Sequence, residues 1–449
     1  ANTTGGQGVA VGRKALEANT TGDNNTAVGH FALGANTTGG NNIAIGRESL
    51  GANTTASNLT SVGYFALASN VSGSGLAAFG QGALQNNTAS NNTALGAVTL
   101  QANTTGDANT AVGRSALTSN TTGARNTAVG AYALDAVTTS DQNTAVGYNA
   151  LTANTTGTYN TAVGAGALES HTTGNRNTAL GRTALNNSTT GEDNTALGYY
   201  AAVQLTTADD NTAVGSYAMR YTTTGYSNIA VGKNALHDNT TGFQNVAIGQ
   251  GALYENETTT LNVAVGYQAL EENKAEKNTA VGGYALTDNT TGTSNVAIGY
   301  ASLANNTTAN ENTALGFETL TQNTTGTTNT ACGYKALAAN TDSGNSAFGA
   351  YALYVNTTGT DNCAFGKSAL GANTGGNDNV AIGRESLRQN TTGQKNVAVG
   401  HEALENGTTG SYNVAVGNGS MSSATVTGEN NCAVGRNSLY SCTTGNHNT

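Results

Sequence analysis

The chain contains no proline and no tryptophan among its 449 residues, and charged residues make up only 10% of it. Proline cannot donate the backbone N–H that a central strand needs, so its absence suits a chain built mostly from paired strands. Low charge together with many threonine and valine residues argues against intrinsic disorder. Glycine is abundant, with 60 residues, but it does not recur at every third position, which excludes collagen.

Basic residues are also scarce, with 17 lysines and arginines against 27 acidic residues. Because affinity for nucleic acid comes largely from lysine and arginine contacts to phosphates, we expect no nucleic-acid partner. No run approaches 18 consecutive apolar residues, so no membrane span is predicted. The four cysteines and five histidines are scattered along the chain. We therefore predict that the protein is not an enzyme and holds no cofactor or metal.

A repeat of about 17 residues fills the whole chain. The string Asn-Thr-Ala-Val-Gly, followed by two free positions and Ala-Leu, occurs in 26 copies, which we index on the glycine from Gly12 to Gly435. Of the 25 intervals between these index glycines, 21 are 17 residues long, three are 16 and one is 18. A fixed period of this length is typical of solenoids. It predicts one continuous repeat domain over residues 1–449, without a linker or second domain.

The residue types in the repeat predict an all-β fold, a parallel β-solenoid with one 17-residue coil per repeat and about 26 coils. The residues one and three positions before the index glycine share a strand face, because side chains alternate with period two. We expect them to form a thin core with the leucine four positions after the glycine. The Ala-Leu pair is predicted to form a second, shorter strand. The Asn-Thr-Thr-Gly segment is predicted to form the return turn, with its glycine at positive φ.

Asparagine occupies the position four before the index glycine in 23 of 26 copies. A stacked column of asparagines can exchange amide hydrogen bonds from coil to coil. The simpler alternative, that asparagine favours turns, explains single copies better than a fixed column. The predicted ladder includes Asn25, Asn42, Asn109, Asn126, Asn143 and Asn160.

Alanine occupies the position two before the index glycine in 25 of 26 copies, with Ser61 as the exception. Since this position alternates with the predicted core residues, we expect it to point out of the coil. Restriction to a small side chain there indicates that another backbone approaches closely, so we predict a homo-oligomer, with three chains favoured. Two alternatives are that the chain's own turn covers the column, or that duplication has preserved it. The predicted seam includes Ala27, Ala44, Ala145, Ala162 and Ala179.

These repeats resemble the head repeats of the YadA-like trimeric autotransporter adhesins, whose motif runs Asn-Ser-Val-Ala-Ile-Gly. The stretches 42–49 and 295–302 of this chain match that motif closely, and 143–151 also resembles repeat regions of phage tail-fibre proteins. The resemblance implies a left-handed β-roll and a three-chain assembly. It extends over essentially all 449 residues, although the adhesin repeat is usually shorter, and no stalk, membrane anchor or chaperone domain is visible.

One region departs from the repeat and collects aromatic residues around Gly198 and Gly215. The leucine position there becomes Ala202 and then Met219. Clustered exposed aromatics suit contact with a glycan or a protein. Drift between copies and packing between chains are the alternatives. The candidate ligand patch consists of Tyr199, Tyr200, Tyr217, Tyr221 and Tyr226.

Together these features predict a structural repeat protein that forms an extracellular fibre or fibre shaft, located outside the cell or on a cell or virion surface, and presenting an adhesive surface. A receptor-binding phage tail fibre or a trimeric adhesin head is the alternative, and an ice-binding solenoid is a remote one. The sequence begins and ends inside repeats, so we expect a segment or processed product, with helical or end-to-end polymerisation as a further mode of assembly. The Asn-Thr-Thr turns also match the glycosylation sequon.

Overall fold

A computed structural model of the chain describes residues 4–423 and 425–449. By internal contacts the chain divides into two compact units, residues 1–227 and 228–449. In the described residues every named element is a three-residue strand and none is a helix, so no helix there could span a membrane. The predicted single continuous domain concerns how the two units join, and it stays a prediction.

Unit 1 contains thirteen strands within its described residues. They are β1 (Val9–Val11), β2 (Thr26–Val28), β3 (Ile43–Ile45), β4 (Thr60–Val62), β5 (Ala77–Phe79), β6 (Thr93–Leu95), β7 (Thr110–Val112), β8 (Thr127–Val129), β9 (Thr144–Val146), β10 (Thr161–Val163), β11 (Thr178–Leu180), β12 (Thr195–Leu197) and β13 (Thr212–Val214).

Unit 2 likewise contains thirteen strands in the part that the structure describes. They are β14 (Ile229–Val231), β15 (Val246–Ile248), β16 (Val263–Val265), β17 (Thr279–Val281), β18 (Val296–Ile298), β19 (Thr313–Leu315), β20 (Thr330–Cys332), β21 (Ser346–Phe348), β22 (Cys363–Phe365), β23 (Val380–Ile382), β24 (Val397–Val399), β25 (Val414–Val416) and β26 (Cys432–Val434).

The predicted stacking of successive repeats is confirmed in both units. Within each unit, each strand pairs in parallel with the strand of the next repeat, so that Val28 lies opposite Ile45 and Ala162 lies opposite Ala179. Repeats of 16 and 18 residues keep the same register, as Val263 opposite Thr279 and Val414 opposite Cys432 show. The turns therefore absorb the length differences, and the fold is a parallel β-solenoid with one coil per repeat.

The Ala-Leu segment forms turns, so the prediction of a second strand is wrong. Two of its residues have positive φ in nearly every coil; in one coil these are Phe31 at 61° and Leu33 at 47°. Alternating positive and negative φ along the segment prevents an extended strand ladder. Positive φ is unfavourable for a leucine. The segment keeps it because the Leu33 side chain is fully buried and its backbone N–H donates to the carbonyl of Ser49 in the next coil at 3.0 Å.

The index glycine, rather than the glycine of the Asn-Thr-Thr-Gly turn, supplies the conformation that only glycine adopts easily. Gly164 has a φ of 134°, and a Cβ there would lie 2.4 Å from the carbonyl oxygen of Gly181 in the next coil. Gly22 and the other glycines of its column have no positive φ. The prediction that the turn glycine has positive φ is therefore wrong. Because its φ is ordinary, other residues can occupy that column, as Ala56 and Ser140 do in two coils.

The interior of the coil is lined by small and polar side chains as well as by leucine. In each three-residue strand beyond β1 the central residue is buried and its two neighbours are partly or fully exposed. The prediction that the residues one and three before the glycine form the core is therefore wrong. The space inside each coil is so thin that the alanine of the strand and the leucine of the facing turn fill it. The larger apolar residues of the strand therefore lie outside.

Candidate binding surfaces

The alanine column lies inside the coil, so it cannot be the seam between chains. Ala27, Ala44, Ala145, Ala162 and Ala179 are each 0% exposed within a single chain. Their small size is required by the chain's own interior, a reason that differs from both alternatives considered from the sequence. The reason for predicting a seam at these alanines is therefore wrong. The homo-oligomer itself stays a prediction.

The strand surface that faces solvent carries one apolar row and one row in which threonine is frequent. We call it the outer face, and it consists of the residues one and three positions before each index glycine. Val129, Leu180 and Ile382 on this face are 36%, 45% and 43% exposed. Because the strands are in register, these residues form two parallel rows along each unit. Contiguous exposed apolar surface of this kind marks an interaction site in most proteins.

The predicted asparagine column makes hydrogen bonds from coil to coil, mainly through the backbone. The Oδ1 atom of Asn25 accepts from the backbone N–H of Asn42 at 3.0 Å, and Asn42 Nδ2 donates to the carbonyl oxygen of Ala56 at 2.9 Å. The same link joins Asn109 to Asn126 at 2.9 Å. It continues through Asn143 and Asn160. Direct amide-to-amide bonds are longer, as between Asn143 and Asn126 at 3.4 Å.

A second buried asparagine column, which the sequence analysis missed, runs through the turns. Asn36 Nδ2 donates to Asn19 Oδ1 at 2.8 Å, and Asn53 Nδ2 donates to Asn36 Oδ1 at 2.9 Å. These are the asparagines of the Asn-Thr-Thr sequons, and Asn103 in the same column is fully buried. A glycan on such an amide would require the coil to open. The fixed 17-residue spacing of these asparagines was the signal that could have identified the column.

His171 replaces asparagine in this second column and takes over its role. The imidazole is buried, and its Nε2 lies 2.8 Å from the carbonyl oxygen of Gly174. Burial lowers the pKa of His171. A neutral ring in a fixed position within the turn is a structural group rather than a catalytic one.

The structure brings together part of the predicted tyrosine patch. The ring of Tyr199 lies 4.4 Å from that of Tyr200 and 5.4 Å from that of Tyr217, centre to centre. The guanidinium of Arg220 lies 5.0 Å from the rings of both Tyr217 and Tyr221. Partial desolvation, with a smaller effect of Tyr200, raises the pKa of Tyr199.

Tyr226 is the fifth member of the predicted patch and is exposed on the same unit. The rings of Tyr199, Tyr200 and Tyr217 contact one another because they occupy the first and second positions after index glycines of adjacent coils. Stacking of coils therefore explains the cluster without a ligand, and binding at this patch stays a prediction.

A longer aromatic column in unit 2 was not predicted. Six rings at the first or second position after successive index glycines follow one another with centroids 5.3–5.8 Å apart. They belong to Tyr267, Tyr284, Tyr300, Phe317, Tyr334 and Tyr351. We call them the aromatic column. The sequence signal was the recurrence of an aromatic residue just after the index glycine, at a position that otherwise varies.

Cysteine and titratable groups form no reactive cluster in the part of the chain that the structure describes. The four cysteines are unpaired there, and no group of three histidine, cysteine or acidic residues could hold a metal ion. Cys332 and Cys363 lie on the outer face and are partly exposed. Burial of part of its surface raises the pKa of the Cys363 thiol, which therefore stays protonated and weakly nucleophilic.

Comparison with known proteins gives no independent indication of function. No protein-family model matches the chain, and no curated protein matches its sequence significantly.

Proposed function

We propose that the protein is a structural component of an extracellular fibre, and that copies of the chain associate through the outer face. The observation that carries this proposal is the row of residues one position before the index glycines. These residues are valine, isoleucine, leucine or phenylalanine except for Cys332, they are partly or fully exposed, and they lie in register along the strands of each unit. Covering such rows removes apolar surface from water at roughly 25 cal/mol per Å². Over many coils this small gain accumulates into a stable interface.

The partner that fits the outer face best is a second copy of the chain. Rows of apolar side chains repeat once per coil, at about the 4.8 Å spacing of paired strands. A surface that covers every coil must repeat with the same period, and the outer face of another copy does so. A three-chain assembly, which the resemblance to adhesin heads implies, would enclose three such faces around one axis.

The coil-to-coil bonding supports a mechanical role. Within each unit, neighbouring coils are linked by strand pairing and by backbone bonds in the turns, such as Thr20 N to Thr37 O at 2.9 Å, and most coils are also linked by the asparagine columns. Threonine hydroxyls add a further row, since Thr37 Oγ1 donates to the carbonyl oxygen of Thr54 at 3.0 Å. Opening one coil breaks bonds on both of its sides, so such a structure resists local unfolding. An adhesin head or a receptor-binding tail fibre is the second form that this proposal can take.

The test introduces charge on the outer face of two alternate coils, with the double variant Val129→Glu and Val163→Glu. An unpaired carboxylate buried in an apolar interface costs several kcal/mol, so we expect the assembly to dissociate. Sedimentation velocity and light scattering should give a multiple of 44.8 kDa for the native chain and 44.8 kDa for the variant.

The matched control is the double variant Ala131→Glu and Ala165→Glu, which places the same charges on the same coils just after the index glycines. Circular dichroism should be unchanged in both variants, and the control should keep the native mass. A native chain that sediments as a monomer at tens of micromolar, or a control that dissociates as readily as the outer-face variant, would contradict the proposal.

A further inference from the structure

Tyr354 stands between two depressions on a surface other than the outer face. It occupies the fifth position after its index glycine, where the preceding coil has Ala338 and the following coil has Gly371. The small neighbours leave the Tyr354 ring projecting, and the residue is 36% exposed. The ring of Tyr351, the last member of the aromatic column, lies perpendicular to it at 5.3 Å and restricts its rotation.

Each depression combines one side of Tyr354 with polar groups from neighbouring coils. The first has a volume of about 250 Å³ and is lined by Glu318, Gln322 and Lys335 as well as by Ala338 and Tyr354. The carboxylate of Glu318 accepts from Lys335 Nζ at 2.9 Å, so the two charges compensate each other.

The second depression has a volume of about 240 Å³ and lies on the following coils. Tyr351 and Tyr354 form its aromatic part, and Ser368 and Gln389 provide hydroxyl and amide groups. Arg388 also lines it, but its guanidinium pairs with Glu405 at 2.9 Å. Both depressions therefore present aromatic and hydrogen-bonding surface without a free charge of either sign.

We propose that these two depressions form a binding site for a neutral oligosaccharide chain. A pyranose ring has an apolar C–H face and a rim of hydroxyls, which matches a tyrosine ring beside amide, hydroxyl and ion-paired groups. Each depression is smaller than the ~300 Å³ at which sites for drug-sized ligands begin, and it suits a single sugar ring. Their centres lie two coils apart, about 10 Å at the spacing of paired strands, so one extended chain reaches both.

The test titrates the full chain with cellohexaose, maltohexaose and chitohexaose and measures binding by saturation-transfer NMR. We expect at least one probe to bind with a Kd of about a millimolar, as suits an open and shallow site. Tyr354→Ser should weaken that binding at least about tenfold. The fold tolerates this change because Ser422 occupies the same position in another coil. Ala338→Gln, which fills the first depression with a residue found there in other coils, should also weaken it.

The matched control is Tyr254→Ser, because Tyr254 occupies the same position in another coil and its ring stacks on His237 at 4.7 Å. This variant should bind the probe as the native chain does. The proposal is overturned if none of the three probes binds, if Tyr254→Ser weakens binding as much as Tyr354→Ser does, or if binding survives both changes at the site. Because none of these residues lies on the outer face, the result is independent of whether the chains associate.

Discussion

Replacing Ala179 by glutamine should disrupt the coils around it rather than the contact between chains. Ala179 is fully buried and lies in register between Ala162 and Ala196. The longer side chain overpacks the interior, at about 1–3 kcal/mol, and buries an amide without partners, at a further ~1–3 kcal/mol. We expect amide hydrogen exchange to accelerate at least tenfold in peptides spanning 160–200.

The control for this prediction is the next residue, Leu180, which lies on the outer face and is 45% exposed. Leu180→Gln should leave hydrogen exchange of the single chain nearly unchanged and should weaken association instead. If Ala179→Gln left exchange unaltered while it dissociated the assembly, the two faces of the strand would be assigned the wrong way round.

Replacing an index glycine by alanine should have a comparably large effect. Gly164 combines a φ of 134° with a backbone carbonyl only 2.4 Å from the position that a Cβ would take. Strain at such a φ costs of order 1–3 kcal/mol, and the next coil must also move away to relieve the contact. Gly164→Ala should lower the thermal stability of unit 1 and expose the 160–185 segment to exchange.

Gly166 provides the control two residues later in the same coil. Its φ of 66° is also positive, but equivalent positions in other coils hold asparagine, serine or tyrosine, as Asn149 does at 55°. A Cβ at Gly166 would meet only side-chain atoms, at 3.1 Å or more. Gly166→Asn should therefore leave stability within about 0.5 kcal/mol of the native value. If both variants lost the same thermal stability, the close approach of the next coil would not be the reason why glycine is required at the index position.

The stacking of repeats could be predicted from the sequence because it depends only on the period. A fixed interval between index glycines determines which residues lie above one another, and Val28 opposite Ile45 follows from that alone. The first asparagine column follows in the same way. Changes of one residue in repeat length did not matter, because the turns absorb them.

The direction of each strand face could not be predicted from alternation. Period two indicates that Val163 and Thr161 share a face, but it does not indicate whether that face is inside. Assigning the larger apolar residues to the interior assumes a core wide enough to hold them, and one coil of 17 residues does not provide it. The near-uniform size of the alanine column, compared with valine, leucine, phenylalanine and cysteine one residue later, was the better guide.

The candidate sites depended on neighbours that the sequence places far apart. The contact between Tyr199 and Tyr217 could be predicted from their coil positions, and the aromatic column could have been found by the same rule. The depressions beside Tyr354 arise because the equivalent residues in the coils on either side, Ala338 and Gly371, are small. Such gaps can be recognised only when equivalent positions of successive coils are compared.

The most direct measurement is the reactivity of single cysteines at Thr144, Ala145 and Val146 toward a maleimide, with the four native cysteines replaced by serine. It is made in the associating chain and again with Val129→Glu and Val163→Glu added. We predict that Ala145→Cys stays unreactive in both backgrounds, whereas Thr144→Cys and Val146→Cys react in the dissociated chain and are protected in the assembly. Rapid labelling of Ala145→Cys in the dissociated chain, together with protection of Thr144→Cys and Val146→Cys there, would contradict the assignment of the alanine column to the interior of the coil.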